Sequence, residues 1–296
     1  MVRLLLKSAE AILIKRYCRR TVLVLGVDIG ATKIAAGRVN EAAEMTAFQI
    51  TPTLAAGGLE VSLRQLWKAM EAALTPEVQS IGLCAPGPLD AATGLVINPP
   101  NLPGWRQVPL AELARQRFRL PVAVENDGNA AALAESLYGA ARGYSHVFYA
   151  AIGTGIGSGI VLDGKIFRGA HGAAAEAGHI SIDYRGGVPC GCGAAGCIEA
   201  LASGRVFGDA AEEELDELVG RLGAWLGGVI SLLDPGVVVI GGGVARIGEP
   251  LFGRLRAVAP RWTVNPYARE IPILPAELGE ASGVIGAAAV ALRESK

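Results

Sequence analysis

TVLVLGVDIGATKIAAGRV, residues 21–39, passes from an apolar run through a glycine-bearing turn into a second apolar run. TVLVLGVDIG (21–30) predicts a buried strand ending in a glycine turn, and ATKIAAGRV (31–39) a second strand. Asp28, Gly30, Thr32 and Lys33 therefore fall where the chain turns sharply back. Glycine there lets backbone amides approach a phosphate, a threonine can donate its hydroxyl, and an aspartate can hold a hydrated Mg²⁺. A tight hairpin with an incidental aspartate would carry the same letters.

Downstream, strand and helix alternate, which points to an α/β fold. LEVSLRQLWKAMEAAL (59–74) has the apolar spacing of an amphipathic helix, and VQSIGLCAPG (78–87) reads as a strand entering a Pro/Gly loop. PVAVEND (121–127) is a strand that runs into the alanine-rich helix GNAAALAESLYGAA (128–141). The second half opens as the first does, with SHVFYAAIGTG (145–155) and IGSGIVLDGKIF (156–167) as strands and Asp163-Gly164 as a hairpin turn. A helix over 211–233, a strand over 236–243, a helix from about 245 to 258 and a last helix over 282–294 follow. A domain boundary is expected near 125–140.

Three glycine turns follow apolar strands: the first at Gly30, then GTGIGSG (153–159), then Gly241-Gly242-Gly243. Together they suggest three backbone contacts to one extended, phosphorylated ligand. No GxxxxGK[ST] is present, and the residues after GTGIGSG form a hairpin instead of a helix, which argues against P-loop and dinucleotide folds.

Bulk properties narrow the partner. With 27 basic and 28 acidic side chains there is no field to hold nucleic acid or an anionic membrane, so a small molecule is expected. The most apolar stretch, 222–243, is broken by Asp234-Pro235 and by glycines, and does not read as a span. The first twenty residues carry six basic side chains around short apolar runs and lack the long apolar centre of a secretory signal. They are expected to be a dispensable extension. Cys18 lies in it; Cys84 and the cluster Cys190, Cys192 and Cys197 remain, a distribution that suits a reducing cytosol.

ENDGNAAALAE (125–135) places Asp127 at the carboxyl end of a strand and the start of a helix, where α/β sheets present reactive groups. Asn126 or Asp127 could merely cap that helix. A cap accounts for one such residue and leaves Glu125, Asn126, Asp127 and Asn129 as a dense polar set.

VDIGATK, APGPLD, NPPNLPGW, ENDGNAAALAE, GTGIGSGIVLDGKI, EAGHISID and CGCGAAGCIEALASG occur in the order found in the ROK family of bacterial sugar kinases and sugar-responsive repressors. The chain resembles that family over about residues 22–295, and its glucokinases most. The resemblance implies an α/β actin-like ATPase (ribonuclease H-like) fold with the active site in a cleft between two domains. It implies a small domain over 21–125 after the extension 1–20, a large domain over 126–281, and a helix 282–296 packing back on the small one. Asp28, Gly30, Thr32 and Lys33 match the first phosphate loop of the family, and Gly153, Thr154, Gly155 and Gly157 the second. Gly241, Gly242 and Gly243 match the turn beside the adenosine. Asp127 matches the catalytic base, and Asn101, Asn126, Asp127, Glu176, His179 and Glu199 match positions that hydrogen-bond the sugar.

His179, Cys190, Cys192 and Cys197 match the ligands of one structural Zn²⁺ on the loop 179–199. Cys₃His is an accepted closed set, although one residue between Cys190 and Cys192 is tighter than the usual two to four. A redox pair or three unrelated thiols are the alternatives. The implied activity is ATP- and Mg²⁺-dependent transfer to the 6-hydroxyl of glucose by a cytoplasmic homodimer or homotetramer. Another sugar (N-acetylmannosamine, N-acetylglucosamine, fructose or allose) or a non-catalytic sugar-responsive regulator is the rival. A repressor would need a helix-turn-helix before the first phosphate loop, where about twenty residues stand.

The chain departs from the family at Ala31, Gly128 and Ala175, and in a shortened segment after Ser203-Gly204. His146 and His171 read as surface residues, Trp67, Trp225 and Trp262 as packing residues, and Trp105 as a wall on the sugar side of the cleft.

Overall fold

The computed structural model describes residues 21–207 and 212–294. The expectations for residues 1–20, Cys18 included, lie outside these, as do residues 208–211 of the shortened segment and residues 295–296 of the expected last helix.

Strands β1 (Leu23–Ile29), β2 (Lys33–Asn40) and β3 (Met45–Pro52) form an antiparallel meander, to which β4 (Val78–Ala85) and β7 (Val122–Asn126) add in parallel, in the order β3-β2-β1-β4-β7. Between β4 and β7 lie a small ribbon of β5 (Leu89–Asp90) and β6 (Leu95–Val96), and helix α2 (Leu110–Phe118); α1 (Gly58–Ala73) precedes β4. The second sheet repeats this plan. Its strands β8 (His146–Ile152), β9 (Ile156–Leu162), β10 (Lys165–Ile166), β11 (Val237–Gly241) and β12 (Ile273–Pro275) take the order β10-β9-β8-β11-β12, with β8, β11 and β12 parallel. Each half thus turns its first strand back through glycines.

Alternation along β1 divides the first sheet into two faces. Leu25, Val27 and Ile29 meet Leu66 and Met70 of α1 and Trp105 in one core. Val24 on the other face meets Val284 and Ala288 of the last helix, α8 (Ser282–Glu294), together with Leu133 of α3 (Asp127–Tyr138). Here α8 lies almost on the strand backbone. A side-chain carbon at Gly26 would fall 2.2 Å from the Val284 carbonyl oxygen, and one at Gly82 1.8 Å from that of Ala287. Further along, α8 crosses α3, with Gly286 against the Ala130 carbonyl.

The second core lies between its sheet and helices α4 (Ile198–Ala202), α5 (Gly204–Phe207), α6 (Glu212–Leu233) and α7 (Glu249–Val258), and is built on Phe148, Leu222, Trp225, Ile240 and Phe252. The other face of that sheet, through Val147, Val161 and Val239, packs on Ala131 and Ala132 of α3. Helix α3 is therefore shared by both sheets.

The helix expected over 245–258 is interrupted. Val244–Ile247 is one 3-10 turn, Gly248 takes φ 73°, and α7 begins only at Glu249 with Pro250 in its first turn, because a left-handed residue ends a helix and proline favours starting one. Strand β3 carries no expectation from the sequence; it is an edge strand with mostly exposed side chains and shows no apolar alternation. No helix among the described residues is long and apolar enough to cross a membrane.

Candidate active site

The first turn is closed by its own backbone. Gly30 N–H donates to the Lys33 carbonyl at 2.9 Å, and Thr53 braces the turn from β3's end, its hydroxyl donating to the Gly30 carbonyl at 2.7 Å. Thr32 and Lys33 are exposed, and Lys33 Nζ reaches Glu280 Oε1 at 3.0 Å. Asp28 points toward α8, and Gly283 leaves it room: a side-chain carbon there would lie 2.4 Å from Asp28 Oδ2. The buried Cys84 thiol donates to Asp28 Oδ1 at 3.4 Å. Burial lifts the Asp28 carboxyl from 3.8 to about 6, the charge of Asp127 adds to the rise, and the Cys84 hydrogen bond and Lys33 oppose it.

Asn126 and Asp127 divide the work at the β7–α3 junction. Asn126 Oδ1 accepts the Asn129 N–H at 3.1 Å, so Asn126 is the helix cap. Asp127 is left with one local bond, from the Gly128 N–H at 2.8 Å, and burial pushes its carboxyl up. Gly128 packs against the Ser158 backbone of β9, where a side-chain carbon would lie 2.2 Å from the carbonyl oxygen. Asp127 thus stands between Asn126, which ends the first sheet, and Gly128, which packs on the second, and its charge acts on both Asp28 and Glu176.

The second and third turns lie side by side. Gly153 N–H donates to Gly155 at 2.9 Å, Gly204 N–H donates to Gly153 at 2.7 Å, and Thr154 and Gly157 are exposed at the rim. Gly242, at φ 82°, comes so close to the end of β8 that a side-chain carbon would sit 2.3 Å from the Ile152 carbonyl oxygen; Gly241 ends β11, and Gly243 leads into the 3-10 turn.

Opposite lies the loop after β10. Ser158 Oγ bonds the Ala175 carbonyl and accepts the Ala177 N–H at 3.1 Å, while Trp225 Nε1 donates to the Ala177 carbonyl at 2.9 Å. Ala175 adopts φ 69°, a left-handed conformation that glycine holds with less strain. The next residue, Glu176, has its carboxyl pushed up, first by burial and then by Asp127 and Glu199, with His179 opposing. A side-chain carbon on Gly87 would lie 3.4 Å from both Asn126 Nδ2 and Glu176 Oε1, so three loops converge there. Asn101 is exposed on the turn after β6.

Two expectations change. Trp105 does not wall the cleft; it is buried in the first core with Nε1 donating to Ser62 Oγ at 2.7 Å, because an indole that large contributes more to the core under its loop. Trp262, expected as a packing residue, is 58% exposed. Glu199 Oε2 accepts the Ile156 N–H at 2.8 Å, tying α4 to the second glycine turn. His171 is exposed, and His146 lies near Asp163 at the hairpin.

His179, Cys190, Cys192 and Cys197 come together with their ligand atoms all within 4.8 Å of one another, and could hold a metal ion. Cys190 Sγ lies 3.6 Å from His179 Nδ1, and Cys192 Sγ 3.7 Å from Cys197 Sγ, with every one of these cysteines free. Three soft sulfurs and one imidazole fit a closed tetrahedral site. Cys190 Sγ also lies 3.8 Å from Glu199 Oε1, which joins this cluster to the second glycine turn.

Two sheets of repeated topology packed on a shared helix define an actin-like ATPase fold. The family profile described as ROK family matches residues 24–221 and 208–294, and the chain belongs to that family. It is 34% identical to a glucokinase of Streptomyces coelicolor over 91% of this chain and 97% of that one. An N-acetylmannosamine kinase of Escherichia coli is 32% identical over 91% of this chain and 98% of its own. Among solved structures, the ROK family glucokinase of Streptomyces griseus in complex with glucose and AMPPNP is 33% identical, with a TM-score of 0.80 over 92% of this chain and 99% of that one.

Proposed function

We propose that this chain is an ATP-dependent glucokinase that transfers a phosphoryl group to the 6-hydroxyl of glucose with Asp127 as general base. The carrying observation is the place of Asp127: a carboxyl spared from capping by Asn126, raised by burial, and near enough for its charge to act on both Asp28 and Glu176. A carboxyl shifted toward neutral pH accepts a proton more readily. The glucokinase relatives supply the reaction.

In this reading Gly30, Thr32 and Lys33 form the first phosphate turn, Gly153, Thr154, Gly155 and Gly157 the second, and Gly241, Gly242 and Gly243 the nucleoside side. Asn101, Asn126, Glu176, His179 and Glu199 hold the sugar hydroxyls, Glu199 through Oε1, since Oε2 already accepts the Ile156 N–H. When bound, Mg²⁺ supplies charge neutralisation at the transferred group, and Asp28 is the residue that would hold its water. His179, Cys190, Cys192 and Cys197 would hold one structural Zn²⁺. The division into domains runs at 125–126, with 282–296 returning to the first, and closure of the cleft excludes water from the phosphate. The enzyme acts on hexose and ATP in the cytoplasm as a homodimer or homotetramer, without nucleic acid or membrane.

A second reading, a kinase for another hexose, draws on the Ala175 methyl group beside Glu176 and on the N-acetylmannosamine kinase relative. A panel of glucose, N-acetylmannosamine, N-acetylglucosamine, fructose and allose, assayed with ATP and Mg²⁺, separates the two. Highest kcat/KM with glucose is expected; turnover of none of them would refute the kinase. Asp127→Asn should keep sugar binding while transfer falls by about 10²–10⁴, and comparable turnover would defeat Asp127 as base.

A further inference from the structure

Glu125, the residue before Asn126 and Asp127, turns the other way, and its carboxylate is buried, with 1% of the side chain exposed. Its countercharge comes from the other sheet. Arg168, two residues beyond β10, places Nη2 at 2.6 Å and Nε at 2.8 Å from Glu125 Oε2. The second oxygen, Oε1, accepts the Asn126 N–H at 3.0 Å and Asn129 Nδ2 at 3.1 Å. Arg168 also acts through its backbone: its carbonyl accepts the Ala174 N–H at 3.1 Å, closing the loop that runs into Ala175 and Glu176.

From these contacts we infer that Arg168 is a positioning residue for the sugar side of the site. Its guanidinium, acting through Glu125, sets Asn126 and Asn129 at the head of α3. Its carbonyl sets the loop that delivers Glu176. One residue thus joins the two walls between which Asp127 stands, and the ion pair has to be intact for them to face the same ligand. The inference rests on the glucokinase reading for its kinetic consequence, though not for its structural one.

A buried pair with no role beyond stability would carry the same distances, so the test separates stability from alignment. Arg168→Met leaves Glu125 charged and unpaired, and a lone buried charge is strongly destabilising. Glu125→Gln combined with Arg168→Met removes both charges, keeps the shape at Glu125, and should recover most of the melting temperature. It restores no link between the walls. In full-length protein, both variants are expected to raise the KM for glucose about tenfold with the KM for ATP changed less than about threefold. Both should also speed amide hydrogen exchange across 169–178. A double variant with the wild-type glucose KM and wild-type exchange over that segment would overturn the positioning role, as would a single variant with both unchanged. The exchange measurement requires no turnover. Wild-type protein that phosphorylates no sugar would defeat the proposed function while faster exchange in the double variant still supported the positioning role; active wild-type protein whose double variant keeps both the glucose KM and the exchange would defeat only the positioning role.

Discussion

Asp28 and Asp127 are both raised carboxyls, yet their surroundings differ in ways that set separate tests. Asp28 has an unfolded value of 3.8 and a folded value of about 6. A raised acid contributes its stability in full below the unfolded value and loses it as pH rises through the folded one. At neutral pH the ionised Asp28 therefore weighs against the ligand-free fold. Asp28→Asn is expected to stabilise ligand-free protein at about pH 7.5 by on the order of 2 kcal/mol, and to have little effect near pH 4. Transfer activity should fall at the same time. Denaturant unfolding at the two pH values measures the difference, and equal stability of both proteins at the higher pH would contradict the assignment. The sequence marks Asp28 by its strand and glycine turn. It does not mark Cys84 or Gly283, which shape the carboxyl's environment from a neighbouring strand and from the last helix; contacts so distant in the chain leave no local pattern.

The loop from His179 to Glu199 brings together four side chains that could hold a metal ion. Between the 3-10 turn Ala177–His179 and the start of α4 at Ile198 it has little regular structure beyond the bridges Ser181–Cys197 and Pro189–Ala195. A closed Cys₃His site leaves no open position for water or phosphate, so a metal there would act on sugar affinity and stability and leave phosphate chemistry alone. Elemental analysis is expected to find about one zinc per chain. Cys192→Ser should lose it, lower the melting temperature and raise the KM for glucose far more than that for ATP. Active protein purified without chelator and devoid of zinc would refute the site. At this scale the long periodic helices were readable from the sequence, as were the strands with continuous apolar runs. The exposed edge strand β3 was not, nor was the break at Gly248, since one left-handed residue outweighs the apolar spacing around it.

Across the whole molecule, α3 and α8 carry the contact between the two sheets, and they cross where neither has a side chain to spare. A side-chain carbon at Gly286 would lie 2.1 Å from the Ala130 carbonyl oxygen. Backbone cannot yield as a flexible side chain can, so Gly286→Val should cost about 2 kcal/mol or more and reduce kcat. Gly220, in α6, has open space around it, and Gly220→Ala should be neutral or stabilising by about 0.5–1 kcal/mol. Thermal melts of the pair, with kcat, distinguish a packed crossing from general glycine sensitivity; equal behaviour would show that the crossing is not tight. What the sequence alone determined is the α/β alternation, the three glycine turns, the dense polar set at 125–129 and the cysteine cluster, because each is written in neighbouring residues whose spacing follows strand and turn geometry; the base role of Asp127 is what the family resemblance implies. Tertiary structure alone decided that Asn126 caps while Asp127 does not, that Glu199 braces the second glycine turn, that Trp105 belongs to the core, and that Arg168 reaches Glu125. Each of these depends on which segments meet, and that is set by how two sheets pack on one shared helix.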